Sequence, residues 1–183
     1  WLNSGFRIWK FGEWLDFIRY PGLWETAAPE IPDTCYCPRC LKKFQADSKI
    51  QMPKGVEGKE VAAWIRGNAP YEWMKWKKEQ IASFVVAVKK ILAENPGKRR
   101  LKLGLFLVPW TKGERGNAIS YLLGQDPFEL AELVDVISPM FYHKMCGKTP
   151  KWVGYMCDYY RETVKCQIWP IVQVVEAQGA EGK

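Results

Sequence analysis

The sequence lacks the features of several common protein classes. It has no apolar run of about 18 residues, the length typical of a membrane-spanning helix, and no basic segment followed by an apolar one, as in a signal peptide. No glycine-rich phosphate loop follows any predicted strand, which argues against a nucleotide-binding doubly wound sheet. We therefore expect a soluble protein without a membrane partner, either cytoplasmic or secreted with its leader absent.

Histidine and cysteine are scarce, with His143 as the single histidine and six cysteines in 183 residues, too few for a disulfide-stapled miniprotein. Cys35, Cys37 and Cys40 lie within one short segment, and their thiols can supply three ligands of a tetrahedral zinc ion. We expect such a zinc to be structural, with no cofactor used in catalysis. The fourth ligand would be an upstream group missing here, a non-thiol or Cys146. Three free thiols are the alternative.

Basic residues give the chain a formal net charge of +7, which is compatible with a polyanionic partner. The densest basic run, residues 98–100 with Lys102, lies between a predicted helix and a predicted strand, where solvated charges are ordinary. The aromatic residues do not interleave with the basic ones, and the cysteine segment lacks a second paired knuckle. We therefore expect no nucleic-acid partner.

Apolar runs typical of strands alternate with segments of helical periodicity. The predicted elements are strand 14–20, helix 71–94, strand 101–108, short helix 126–130, strand 134–142, helix 152–164 and strand 167–175. Asp126 and Pro127 favour the start of the short helix, and residues 95–97, Asn-Pro-Gly, favour the end of the long one. We expect Trp73 and Trp76 to pack within the long helix's buried face.

This alternation predicts an α/β fold in which helices cover a parallel sheet. Candidate polar residues lie at or just beyond the carboxyl ends of the strands, the face on which (β/α)8 barrels build their sites. With 48% hydrophobic and 26% charged residues, the 183 residues are expected to form one domain. A complete barrel typically needs about 250 residues. We therefore predict a partial TIM barrel, the carboxyl-terminal portion of a catalytic domain.

Three segments carry a family resemblance: residues 16–22, Asp-Phe-Ile-Arg-Tyr-Pro-Gly; residues 35–44, which contain the cysteines; and residues 138–143, Ser-Pro-Met-Phe-Tyr-His. In these segments the chain resembles glycoside-hydrolase-like (β/α)8 barrels, and the cysteine segment is similar to that of family 42 β-galactosidases. The resemblance covers most of the chain, in the order expected for barrel strands four to seven. It implies a carbohydrate substrate and, as partner, the missing amino-terminal half of the barrel or a second chain.

The resemblance also implies a catalytic pair. In retaining barrels of the family 42 type, the acid/base is a Glu preceded by Asn after strand four, and the nucleophile is a Glu after strand seven. Here Asp16 stands after strand four without an Asn-Glu pair, whereas Glu176 matches the second position. Glycoside hydrolysis needs two carboxyl groups flanking the scissile bond. We predict Asp16 and Glu176 as this pair, with Glu25 in reserve. A structural Asp16–Arg19 salt bridge and a solvated Glu176 are the alternatives.

The predicted substrate-binding residues are Arg19, Tyr20, Trp24, Trp110, Tyr142 and His143. Aromatic rings match the apolar C–H faces of sugars, so Trp24 and Trp110, on loops after strands, are candidate platforms. For His143, a purely structural role is the alternative to binding a sugar hydroxyl or a carboxylate.

Three functions are consistent with these residues. The first is a glycoside hydrolase with a two-carboxylate mechanism. The second is a carbohydrate-binding barrel that has lost catalysis, which would tolerate replacement of Asp16 or Glu176. The third, ranked last, is a zinc-containing nucleic-acid module.

Overall fold

The computed structural model describes residues 12–53, 55, 58–94 and 101–174. Their elements, in chain order, are strand β1 (Gly12–Leu15), helices α1 (Pro38–Ser48), α2 (Lys59–Asn68) and α3 (Pro70–Glu94), strand β2 (Lys102–Leu107), helices α4 (Ala118–Tyr121) and α5 (Pro127–Ala131), strand β3 (Val136–Phe141), helix α6 (Pro150–Thr163), and strands β4 (Gln167–Ile168) and β5 (Ile171–Val172). A short 3-10 helix, Glu114–Gly116, precedes α4. None of the helices in these ranges is long and apolar enough to cross a bilayer.

The strands form one parallel sheet in which β1, β2, β3 and β4 are neighbours in chain order. β5 also pairs in parallel with β3, at the residues Met140 and Phe141, which follow those paired with β4. Pro170 separates β4 from β5, and because proline has no backbone N–H it interrupts the ladder there. The predicted α/β class with a parallel sheet is confirmed. Sequential strand order occurs both in barrels and in open sheets.

The main core lies between the sheet and helices α3 and α6. It contains leucines of β2, Ile137 and Phe141 of β3, and Met156 and Tyr160 of α6. A second cluster forms where α1 and α2 pack on the first half of α3, around Phe44, Trp73 and Trp76. The prediction that these two tryptophans are core residues is therefore confirmed.

The sequence located some elements better than others. The long helix, the strands at 102–107 and 136–141, and the cap by Asp126, which accepts hydrogen bonds from the N–H groups of Phe128 and Glu129, are confirmed. The predicted strand 14–20 is wrong in its bounds, because β1 pairs with β2 only from Gly12 to Leu15. The predicted helix end at 95–97 and the basic residues 98–100 lie outside the described residues.

Candidate functional site

The first part of the site is the loop that leaves β1. Asp16 is the first residue after the strand, and its Oδ1 accepts a hydrogen bond of 2.7 Å from the N–H of Phe17. Phe17 has a φ of 54°, in the left-handed region that L-residues seldom adopt, so the strand cannot continue. Asp16 is exposed, which corrects the expectation that it lies within an apolar strand.

Gln125 fixes this loop to the sheet. Its side chain is fully buried, and its Nε2 donates to the carbonyl oxygens of Ile18 at 3.0 Å and Phe106 at 3.1 Å. Its Oε1 accepts a bond of 3.1 Å from the N–H of Val108. One amide thereby joins the exit of β1 to the end of β2. Nothing in the local sequence around Gln125 indicated this role.

Arg19 brings the candidate residues together. Burial lowers the pKa of its guanidinium, while the negative charges of Glu25 and Asp16 and the hydroxyl of Tyr142 oppose that effect. The same group acts on Tyr142, whose pKa is raised by burial, by Asp16 and by Glu25, and lowered by Arg19. The loop after β1 and the end of β3 thus place two carboxylates, a guanidinium and a phenol within electrostatic range of one another.

Several polar atoms of these residues have no hydrogen-bond partner among the described residues. Nη1 of Arg19, Nε1 of Trp24 and Nδ1 of His143 are all buried and unpaired. An unpaired buried donor or acceptor costs about 1–3 kcal/mol, so such atoms are uncommon in proteins and call for an explanation. These three belong to residues that the sequence predicted for the site, and the other three such atoms among the described residues belong to Thr34, Trp73 and Asn117.

The two tryptophans predicted as sugar platforms are buried, which does not support that role. Trp24 is 0% exposed and stacks on Tyr142 at 5.5 Å between ring centroids. Trp110 is 4% exposed, and the guanidinium of Arg115 lies 5.3 Å from its ring centroid. Both belong to the core beneath the loops that follow the strands, so neither offers an open face to a sugar.

Phe17 is the aromatic residue that the sequence prediction missed. It is 72% exposed, and the guanidinium carbon of Arg19 lies 4.6 Å from its ring centroid. Its position next to Asp16 would have been a usable signal. The interpretation of residues 14–20 as a buried strand hid it, because a strand buried on both faces gives no reason to expect an exposed ring.

Tyr20, predicted for substrate binding, lies instead beside the cysteines. Burial raises its pKa, and the thiols of Cys40, Cys35 and Cys37 raise it further. Its ring also faces the Nζ of Lys77 at 5.3 Å. We therefore assign Tyr20 to the surroundings of the cysteine cluster.

The cysteine cluster is formed by Cys35, Cys37 and Cys40, whose sulfur atoms all lie within 4.8 Å of one another. Three sulfurs around one zinc ion at 2.3 Å would be about 3.8 Å apart, so small side-chain rotations suffice to close the site. Three close cysteines of this kind can hold a metal ion. Cys146, named as a possible fourth ligand, is buried elsewhere, with its Sγ 3.9 Å from the carbonyl oxygen of Trp24.

Cys37 and Cys40, at the start of helix α1, differ in the pKa of their thiols. Cys37 is the N-cap residue, and the backbone N–H of Cys40, followed by the thiols of Cys35 and Cys40, lowers the pKa of Cys37 to about 7. Burial, followed by the neighbouring thiols, raises the pKa of Cys40. A thiolate is the form that binds metals and attacks electrophiles, so Cys37 is the more reactive of the two.

Glu176, the predicted partner of Asp16, lies outside the described residues. Comparisons of the chain with models of known protein families, with curated proteins and with solved structures found no significant match. The functional assignment therefore depends on the chemistry of the site itself.

Proposed function

We propose that the chain forms part of a (β/α)8-barrel site that binds carbohydrate and hydrolyses a glycosidic bond. The observation that carries this proposal is the electrostatic interaction of Arg19 with Glu25, Asp16 and Tyr142 at the carboxyl end of the sheet. There the guanidinium of Arg19 lies 4.6 Å from the ring centroid of Phe17, and the ring of Tyr142 stacks on Trp24. Parallel α/β enzymes build their sites at this end.

The chemistry requires two carboxyl groups, one to protonate the leaving oxygen and one to act as nucleophile or to activate water. Asp16 and Glu25 are the two carboxylates that interact with Arg19, and Glu176 is the third candidate. A guanidinium that interacts electrostatically with both carboxylates offsets their mutual repulsion. The unpaired Nη1 of Arg19 and the exposed ring of Phe17 would then bind a sugar hydroxyl and a sugar face.

The free edge of β1 bears on how the cleft is completed. Among the described residues, β1 pairs with β2 alone. An unpaired edge is a template for a further strand. We propose that strands from the rest of a longer barrel, or from a second chain, cover this edge and supply the remaining wall of the site.

A panel of 4-nitrophenyl glycosides and oligosaccharides tests the proposal, with hydrolysis and binding both measured. The Asp16→Asn and Glu25→Gln variants should each lower kcat about 10²–10⁴-fold, the usual contribution of an acid or base. Glu162→Gln, an exposed carboxylate on α6, is the matched control and should leave kcat unchanged. Binding without hydrolysis in the unmodified chain would favour the non-catalytic alternative. Hydrolysis that neither variant affects would contradict the proposed pair.

As a second function, we propose that the cysteine cluster holds a structural zinc ion, which the proximity of the three thiols favours. We assign this zinc an architectural role because zinc-assisted catalysis would call for His or carboxylate ligands, and the three residues of the cluster are all cysteines. The fourth ligand would be a non-thiol group of the chain or a residue of a partner, which closes the site.

Zinc titration against a chelating indicator tests this site. The unmodified chain should bind one zinc ion, and Cys35→Ser, Cys37→Ser or Cys40→Ser should each weaken binding by more than about tenfold. Cys157→Ser, a partly buried cysteine of α6, is the control. Equal affinity for the control and the cluster variants would exclude the site.

A further inference from the structure

Cys37 and Cys40 stand in a C-x-x-C arrangement at the start of helix α1. Cys37 is the N-cap residue, Pro38 is the first residue of the helix, and Cys40 lies in its first turn. Side chains three residues apart in this geometry are neighbours on the helix surface. The two sulfur atoms lie within 4.8 Å of each other, so rotation about the side-chain bonds can bring them to bonding distance.

The two thiols have different surroundings. Cys40 packs against the cluster formed by α1, α2 and α3, which contains Phe44 and Trp73, whereas Cys37 is not part of that cluster. An external reagent therefore reaches Cys37 first, and Cys40 is placed behind it. Dithiols that cycle between the reduced and the disulfide form have this division into an attacking and a resolving cysteine.

We propose that Cys37 and Cys40 form a redox-active dithiol, which a low-molecular-weight disulfide oxidises to an intramolecular disulfide. The disulfide is independent of the proposed carbohydrate and zinc functions. Formation of the disulfide would also release a zinc ion, because it removes two of the three thiolate ligands. This consequence rests on the proposed zinc site.

The reaction balances as two successive exchanges. The Cys37 thiolate attacks one sulfur of the oxidant, forming a mixed disulfide and releasing the first thiolate. The Cys40 sulfur then attacks the sulfur of Cys37, forming the Cys37–Cys40 bond and releasing the second thiolate. The protein loses two protons and two electrons, and the oxidant leaves as two thiols. Cys35 stays reduced, because a C-x-C disulfide closes a smaller and more strained ring than a C-x-x-C disulfide.

The tryptic cleavage sites in the sequence allow a Cys37–Cys40 disulfide to be distinguished from a Cys35–Cys37 disulfide. Trypsin cleaves after Arg19, Arg39 and Lys42, so Cys35 and Cys37 fall in the peptide 20–39 and Cys40 falls in the peptide 40–42. A Cys35–Cys37 disulfide stays within one peptide. A Cys37–Cys40 disulfide joins the two peptides.

The experiment equilibrates the chelator-treated full chain with mixtures of reduced and oxidised glutathione, followed by acid quenching, digestion and mass spectrometry. We expect the joined peptides 20–39 and 40–42 from the unmodified chain and from Cys35→Ser, and glutathione attached to Cys37 in Cys40→Ser. The Cys157→Ser control should match the unmodified chain. Far-ultraviolet circular dichroism checks that each variant is folded.

Three results would overturn the proposal: only a Cys35–Cys37 link, loss of the joined peptides in folded Cys35→Ser, or equal glutathione attachment to Cys37 in the unmodified chain and Cys40→Ser. Zinc release is measured separately, on zinc-loaded chain treated with the same mixtures. Failure to bind zinc would refute the zinc site while leaving the disulfide result standing, so the two failures are distinguishable.

Discussion

The indole Nε1 of Trp14 in β1 donates a hydrogen bond of 2.9 Å to the Oγ of Ser138 in β3. Because β2 lies between β1 and β3, the indole ring crosses over Gly104 of β2, which is paired with Trp14 in the ladder. Trp169, which follows β4, stacks on Trp14 with 5.5 Å between ring centroids. One face of the sheet is thus spanned by a row of side chains that joins strands distant in sequence.

Gly104→Ala should destabilise the chain. An added Cβ would lie 2.3 Å from Cε2 of Trp14, so the indole must move and its bond to Ser138 is strained or lost. We expect the free energy of unfolding in urea to fall by about 1–3 kcal/mol, as for other overpacked cores. Gly113→Ala is the control, since no atom lies within 4 Å of its added Cβ. Equal stability of the two variants would contradict this packing.

Gln125→Leu should weaken the attachment of the β1 loop. Leucine has a similar size and offers no hydrogen bonds, so the carbonyl groups of Ile18 and Phe106 and the N–H of Val108 lose their partner. We expect a loss of about 3 kcal/mol in the free energy of unfolding, because buried polar groups are left unpaired. Faster amide hydrogen exchange at residues 16–20 is the local readout. Unchanged exchange there would show that another contact holds the loop.

Asp33→Asn should make stability depend more strongly on pH. The Nζ of Lys77 is buried and donates to Oδ1 of Asp33 at 3.0 Å and to the carbonyl of Leu122 at 3.3 Å. Burial lowers the pKa of Lys77, and Asp33 opposes this effect. Without that carboxylate the pKa of Lys77 falls further below its ordinary value.

The direction in which stability changes with pH follows from proton linkage at Lys77. In the pH range between the lowered pKa of folded Lys77 and its ordinary value of about 10, the unfolded chain of this variant binds more protons at Lys77 than the folded chain does, so stability rises with pH. The unmodified chain should show the same sign with a smaller slope. Urea unfolding across this pH range measures the slope of the unfolding free energy against pH. The Lys77→Met/Asp33→Asn double variant is the control for other titrating groups. A slope in Asp33→Asn no steeper than in the double variant would contradict the assignment.

Phe17→Ala should reduce affinity for whichever oligosaccharide the panel identifies. The exposed ring lies against Arg19, and its removal takes away one stacking surface, worth about threefold to tenfold in Kd. Phe84→Ala, an exposed phenylalanine of α3, is the matched control. Phe17→Gly should lower affinity equally while raising stability by about 1 kcal/mol, because glycine adopts a φ of 54° without strain. Unchanged affinity would remove Phe17 from the site.

The sequence predicted the fold better than the site, for identifiable reasons. Long periodic segments such as α3, and apolar runs such as β2, carry their structure in their own pattern. Helices α1 and α2 were missed because they are short, and their buried residues, such as Phe44 and Ile65, pack against partners in α3 that are distant in sequence. Burial of Trp24 and Trp110 depends on contacts between loops far apart in the chain. No local pattern reveals such contacts.

The most direct test of the proposed function is a crystal structure of the chain with the oligosaccharide that it binds most tightly. The account predicts the sugar at the carboxyl end of the sheet, with a hydroxyl on Arg19, a ring face on Phe17, and Asp16 and Glu25 flanking one glycosidic oxygen. A sugar bound elsewhere, such as the cavity of about 310 Å³ lined by Arg66, Tyr71 and Tyr121, would contradict it.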